Sequence, residues 1–258
     1  MTIRLCILAG LGLAGLLAPC AAARPAPSWT ADIAIEHAEL RRTTLEDWSG
    51  AALQLGRRTE TGRLVWARAE WSQRFGAQDS FLQLGLQDQF AGGVGSLAIG
   101  SAFGGDFRED LDVRLAWTRP AWRPEQGPGG VDFDLTARIA DYSDGPVTIL
   151  APGFVHYLRD RDAWLSVSSI LVRGSEGRWE SGLAVRGDVG LDANWRLRGG
   201  ASFAPEVEAG TVAWTRGLEI GARRKFGPDR ELGWTVTHVD RSGSYARTGL
   251  TLSLRQRF

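Results

Sequence analysis

The sequence predicts an all-β protein: a transmembrane antiparallel up-and-down β-barrel of about 14 strands, with 12 as the alternative, after a cleaved signal peptide. Three observations carry this. Segments of about ten residues alternate apolar and polar side chains, the pattern of a strand whose two faces meet different surroundings. Each segment ends in Gly, Pro, Asp or Asn, the residues of tight turns. The segments run to about 9–12 residues, which exceeds the ~5–6 of a soluble sandwich strand and suffices to cross a bilayer at a tilt. A soluble periplasmic sandwich, with the apolar face inside, is the competing architecture.

The elements follow in order. Residues 1–23 read as a secretory signal: Arg4 supplies the positive charge, residues 5–18 the apolar stretch, and Ala21, Ala22 and Ala23 the small residues for cleavage. Pro19 interrupts the run before it reaches the ~20 apolar residues of a transmembrane helix. Pro19 before Cys20 departs from a lipoprotein cleavage box. Residues 24–30 form a lead-in and residues 31–258 the barrel. Strands are expected at 31–42, 46–58, 63–75, 79–90, 95–104, 109–119, 130–142, 146–159, 162–174, 177–190, 193–204, 210–226, 230–241 and 244–258. The segments at 31–42 and 95–104 alternate least, which is why 12 strands is the alternative.

The cleanest alternation is at 131–139, where Val131, Phe133, Leu135, Ala137 and Ile139 oppose Asp132, Asp134, Thr136 and Arg138. Arg216 breaks the pattern by sharing a face with Trp214 and Leu218, which a bulge or a place near the rim would resolve. Trp48, Trp164, Trp179 and Trp234 lie near strand ends and suit interfacial girdles. "TETG", "GPDR", "LDAN" and "RSGS" read as short hinges. The longer stretches at 120–130 and 204–210 read as external loops, since outer-membrane barrels keep their periplasmic turns short. The last strand, "RTGLTLSLRQRF", sets Leu250, Leu252, Leu254 and Phe258 toward lipid and Thr251, Ser253, Arg255 and Arg257 toward the lumen.

Composition narrows the function classes. Thirty Lys+Arg balance 30 Asp+Glu, so the net charge of zero gives no electrostatic case for nucleic acid. The basic residues are nearly all Arg, with Lys225 the single Lys. Thirty-three Gly and 11 Trp favour strands and turns over helices. Both cysteines, Cys6 and Cys20, lie in the signal, so the mature chain has no thiol for a disulfide, a metal site or a nucleophile.

The segment order resembles the YaiO-type outer-membrane β-barrel family over most of the mature chain, from about Trp48 to Phe258. The landmarks are "EDWSGAALQLGRR", "TGRLVWARAEWSQRF", "GGDFREDLDVRLAWT", "DFDLTARIADYSDGPVTILAPGFVHYL" and "WRLRGGASFAPEVEAG". Arg247, Gly249, Leu252, Leu254 and Phe258 also resemble the assembly signal that barrel-inserting machinery reads on a last strand. The resemblance implies an outer-membrane location and a barrel domain; it leaves the activity undefined. The helical repeats that precede the barrel in many members are not apparent here.

The expected functional residues line the lumen: Arg68, Glu70, Arg74, Asp112, Arg114, Asp132, Asp134, Arg138, Arg186, Asp188, Arg196, Arg198, Arg255 and Arg257. They suit a set of paired charges filling a narrow interior, or a hydrated path for an anionic or sugar-like solute. Expected partners are outer-membrane lipids and the barrel-assembly machinery during biogenesis, with a polysaccharide or small anionic solute as cargo. No cofactor is implied. The resulting reading is a non-enzymatic outer-membrane barrel, a small pore or the membrane component of envelope or polysaccharide export or assembly. The alternative is a lipid or lipopolysaccharide acyl hydrolase using His238, with Asp240 and Ser242, or His156. On one strand face, however, positions 238, 240 and 242 lie about 7 Å apart, too far for a direct Ser–His bond. His37 has only Glu36 and Glu39 near it. Neither the "DYSDGPV" turn nor the Gly-rich "AGGVG" supports a metal or phosphate site over a plain turn.

Overall fold

A computed structural model describes residues 27–258 apart from 75, 105–106, 126–128, 159–161 and 209–210, with the side chains of 207, 208, 211 and 212 also left out. The signal segment, and with it the cleavage expectation, lies outside the described residues. Fourteen strands form one closed antiparallel barrel in sequence order. They are β1 (Ser28–Arg41), β2 (Trp48–Arg58), β3 (Leu64–Arg74), β4 (Ala77–Phe90), β5 (Gly93–Phe103), β6 (Leu111–Trp122) and β7 (Gly130–Tyr142). The circuit continues through β8 (Gly145–Tyr157), β9 (Ala163–Arg173), β10 (Trp179–Gly190), β11 (Trp195–Glu208), β12 (Thr211–Phe226), β13 (Arg230–Arg241) and β14 (Ala246–Arg257). Both segments that alternate least, β1 and β5, are strands, so the count is 14 and not 12.

Closure is made by β1 and β14, paired continuously from Thr30 opposite Arg257 to Arg41 opposite Ala246. Two further backbone bonds tie the extreme end: Phe258 N–H donates to the Trp29 carbonyl at 3.0 Å, and Trp29 N–H to the Phe258 carbonyl at 3.3 Å. The terminal strand is thus held on both sides, and the sheet has no edge.

The two faces separate as the alternation requires. Ile33, Ile35, Leu84, Ile99, Leu115, Leu183, Leu218, Ile220, Leu252 and Leu254 are all exposed on the outside. A belt of this kind is unfavourable in water and matched by hydrocarbon, while closure leaves every strand paired as lipid demands. Outward aromatics ring both ends. Trp29, Phe90, Phe226 and Phe258 stand at the end where both chain termini lie, called here the terminal end, and Trp71, Phe103, Trp179 and Phe203 toward the opposite, distal end.

Three expectations need correction, and the alternatives given for Arg216 are decided. Trp48 is not a girdle residue: it points inward and is buried to 2 %. Trp164 pairs with inward-facing Asp188 and shares its inner face. Alternation alone says which residues share a face, but a tryptophan suits either side. The stretches at 120–130 and 204–210 do not share an external side. An up-and-down barrel puts consecutive connections at alternate ends, so the β6–β7 connection is at the terminal end and the β11–β12 connection at the distal end. The second is hardly a loop, because β11 runs on to Glu208 and β12 starts at Thr211. Arg216 involves no bulge: the pairing of β12 with both neighbours is unbroken. It lies toward the distal end, its guanidinium over the Phe203 ring at 5.8 Å. The bulge occurs instead at Pro120 to Trp122 in β6, because Pro has no N–H for the ladder.

Candidate functional site: the charged lumen

The distal interior is filled. Trp48 at the start of β2 has the guanidinium of Arg74 at 4.9 Å and that of Arg247 at 4.4 Å from its ring centroid. Tyr245 meets it edge-on at 5.9 Å, and Ala38 and Leu40 complete the cluster. Arg74 also covers Phe107, which the β5–β6 loop carries inward to full burial. Asp79 fixes that loop by accepting the backbone N–H groups of Phe107 at 3.2 Å and Arg108 at 2.9 Å. Arg108 then lies 4.1 Å over the Phe81 ring and pairs with Glu70, which also takes Arg68.

The next carboxylates continue the network along the wall. Glu109 receives Arg138 at 2.7 Å, and Asp112, fully buried, receives both Arg138 and, at 2.6 Å, Arg114. Burial resists ionisation of Glu109, but Arg138, Arg108 and Arg114 outweigh it and hold its carboxyl down at about 2. On the wall formed by β7 to β11, Val147, Ile149, Ile170, Val172, Ala184 and Ala204 make an apolar inner lining.

The terminal half is different. Arg186 and Arg255 point inward, yet their side chains are 45 % and 42 % exposed, so the space they enter is open to water. Their partners are Glu219 at 3.7 Å and Asp32 at 2.5 Å. Asp188 holds Arg196 at 2.6 Å and Arg223 at 2.8 Å; Arg196 also reaches Asp162 and Arg223 reaches Glu231 at 3.5 Å. Arg198 donates to the Thr235 hydroxyl, and its Nε has no hydrogen-bond partner among the described residues. Across the lumen, Asp134 accepts from the Thr118 hydroxyl and Asp132 pairs with Arg123. Glycines thin the wall where large side chains lie flat against it. A Cβ on Gly85 would fall 2.1 Å from the Trp66 ring, and one on Gly100 2.5 Å from Phe81.

Thirteen of the fourteen residues expected to line the lumen thus fall into two groups. Arg68, Glu70, Arg74, Asp112, Arg114 and Arg138 belong to the packed distal network, while Asp132, Asp134, Arg186, Asp188, Arg196, Arg198 and Arg255 line the terminal half. Arg257 sits exposed at the last rung. Sequence reasoning missed Trp48, Asp79, Phe107, Arg108, Glu109 and Tyr245 as interior residues, and Asp32, Glu36, Glu219 and Glu231 as partners. Period two along β1 would have found Asp32 and Glu36. Nothing local announces that the β5–β6 loop turns inward. Of the assembly-signal residues, Arg247 and Gly249 face inside and Leu252, Leu254 and Phe258 outside. Arg247 is buried and lies 3.6 Å from Glu36.

All three histidines are exposed on the outer face. His238 Nδ1 shares a 2.9 Å hydrogen bond with the Thr248 hydroxyl. Asp240 is taken by Arg42, and the Ser242 N–H by the Trp214 carbonyl at 3.0 Å, so the structure does not bring the three residues of that motif together. "AGGVG" holds a two-residue hairpin turn in which Ala91 and Gly92 both have positive φ, 49° and 73°, as a primed turn requires.

No protein-family model and no curated protein matches the sequence. Among solved structures, the CymD monoaromatic hydrocarbon channel superposes with a TM-score of 0.58 at 11 % identity, covering 91 % of this chain and 89 % of that one. The Acinetobacter baumannii outer membrane protein Omp33 gives 0.53 at 6 %, covering 90 % and 99 %. A bacterial polysaccharide outer membrane secretin gives 0.53 at 9 %, covering 89 % and 98 %. Identities this low speak for a common fold. With its closed 14-strand circuit and apolar exterior, the chain is a β-barrel of the bacterial outer membrane.

Proposed function

We propose that this barrel is a narrow, non-enzymatic pore for small polar or anionic solutes, entered through a hydrated half and throttled in the distal half. The observation that carries this is the exposure of inward-pointing Arg186 and Arg255. Charges standing in water inside a barrel mark a solvated path, and arginine on its wall favours anions. Trp48 and Phe107, both buried in the distal interior, are the large side chains that would narrow the path there. Planar-bilayer recordings on refolded protein test the reading. Small conductance steps are expected for the native chain and larger ones for a Trp48→Ala, Phe107→Ala double variant. Silence from both, with folding verified by heat-modifiable migration, overturns it.

The resemblance to YaiO-type barrels fits an outer-membrane barrel and leaves its activity undefined; service as the membrane component of envelope or polysaccharide export is the broader form of this reading. The superposition on a polysaccharide secretin adds the fold only. The last strand is read as the assembly signal, so deleting Phe258 impairs insertion more than changes in the 120–130 connection do. An acyl hydrolase is the weaker reading. His238 has a threonine hydroxyl for a partner, and the neighbouring backbone N–H groups belong to the strand ladder. An unchanged lipid profile in a His238→Ala, His156→Ala variant is the expected result.

A further inference from the structure

A groove opens on the outer surface of the barrel at the terminal end, across β4 to β7. Leu86 and Phe90 form one wall, Leu115 and Trp117 the other, and Gly95 lies in the floor between them. Gly95 faces outward, opposite Asp88 on one side and Trp117 on the other, and its missing side chain makes the dent. The groove is shaped by specific contacts: the Trp117 indole N–H donates to the Phe90 carbonyl at 3.2 Å, so the indole reaches across β5 and ties the two walls together at the rim end. Its lining belongs to the same exposed apolar surface that the bilayer covers, so what fills it is hydrocarbon.

Two cations flank the rim end of this groove. Arg63, in the β2–β3 connection, reaches Asp88 at 2.6 Å while its side chain stays 53 % exposed. Arg119 lies 5.5 Å over the Trp117 ring and has no ion pair among the described residues. Asp88 and Trp117 are separated by the single strand β5, so the backbone positions that hold the two guanidiniums lie roughly two interstrand spacings, about 10 Å, apart. One carboxylate against two guanidiniums leaves the rim positive by one. Directly beneath, the groove continues toward the middle of the apolar belt along Leu97 and Leu115.

We propose that this groove is a binding site for one anionic glycerophospholipid, its phosphate held between Arg63 and Arg119 and one acyl chain laid over Gly95. The arrangement combines the two recognitions such a lipid needs, charge-assisted hydrogen bonds to phosphate and apolar contact along the chain. The test uses the whole refolded barrel in detergent, equilibrated with phosphatidylglycerol or with phosphatidylcholine of the same acyl chains, and reads retained lipid by native mass spectrometry. The expected result is a bound phosphatidylglycerol that survives detergent exchange and clear preference over phosphatidylcholine. An Arg63→Gln, Arg119→Gln variant should lose that preference. Gly95→Leu should lose retention of both lipids. It fills the groove from an outward position whose nearest contact for a Cβ is Phe90 at 3.4 Å, so it leaves the barrel fold in place. Equal retention by the native chain and the filled-groove variant overturns the proposal. So does a native chain that takes a phosphorylated glucosamine lipid and ignores phosphatidylglycerol.

Discussion

The distal and terminal halves of the lumen are built from the same residue types and behave differently. In both, arginines from one strand meet carboxylates from the same or neighbouring strands. In the distal half those pairs are buried beneath Trp48, Phe107 and Tyr245, so each carboxylate has lost its water and depends on its guanidinium. In the terminal half the Arg186–Glu219 and Arg255–Asp32 pairs stand in solvent and are screened, although Asp188 and Asp132 are buried beside their arginines. The energetic consequence follows from dielectric alone. Removing one member of a buried pair strands the other charge and costs about 3–5 kcal/mol, whereas an exposed pair is worth about 0–1 kcal/mol. The same chemistry therefore gives a structural lock at one end and a wettable wall at the other.

The largest expected break of this contrast is Asp112→Ala. It leaves Arg138 and Arg114 without their shared carboxylate and should destabilise the barrel by about 3–5 kcal/mol, read as an earlier urea midpoint of the refolded protein. A loss below about 1 kcal/mol would put the distal network on the same footing as the exposed one. Next comes Trp48→Leu, which keeps an apolar filler and removes the ring between Arg74 and Arg247. Loss of desolvated cation–π contacts, about 2 kcal/mol in all, should show in the thermal midpoint.

Acid sharpens the contrast further. Glu109 is held at about 2, below its ordinary 4.5, so its ionised form stabilises the fold above about 4.5. That contribution is lost progressively as pH falls toward 2. A Glu109→Gln variant should lack this part of the acid dependence, compared by intrinsic fluorescence across that window. The smallest effect is Arg255→Gln in the open half: stability within about 1 kcal/mol of the native chain, with any change appearing in anion preference of the recorded current. The fourteen strands contain no cysteine, so a single cysteine placed on one of them reports access directly. One at Arg186 should react with a charged thiol reagent in the folded barrel, and one at Ala140 only after denaturation.

How much of this was legible differs between wall and filling. Period-two polarity gave the face of nearly every strand residue, from Asp132 and Phe133 on β7 to Leu254 and Arg255 on β14. It could not give the fate of Trp48, because an indole satisfies a membrane interface and a packed interior equally well. Nor could it show which way the 204–210 segment faced; that needed the parity of the strand count, which the sequence contains but the loop lengths obscured. The interior role of Phe107, Arg108 and Glu109 was illegible because a loop has no periodicity to betray its direction.

By itself the sequence determined the two faces and the closing strand, and brought the strand number to about 14. These are local properties, fixed by side-chain alternation and turn chemistry. Only the tertiary structure decided which arginines are locked and which are wet. That depends on residues brought together from β1, β2, β3 and β14 around one indole, and on a loop folded back across β3, β4 and β7. The groove over Gly95 likewise exists only once four strands lie side by side. Burial is a property of the closed barrel, and it is burial that converts equal charges into unequal energies.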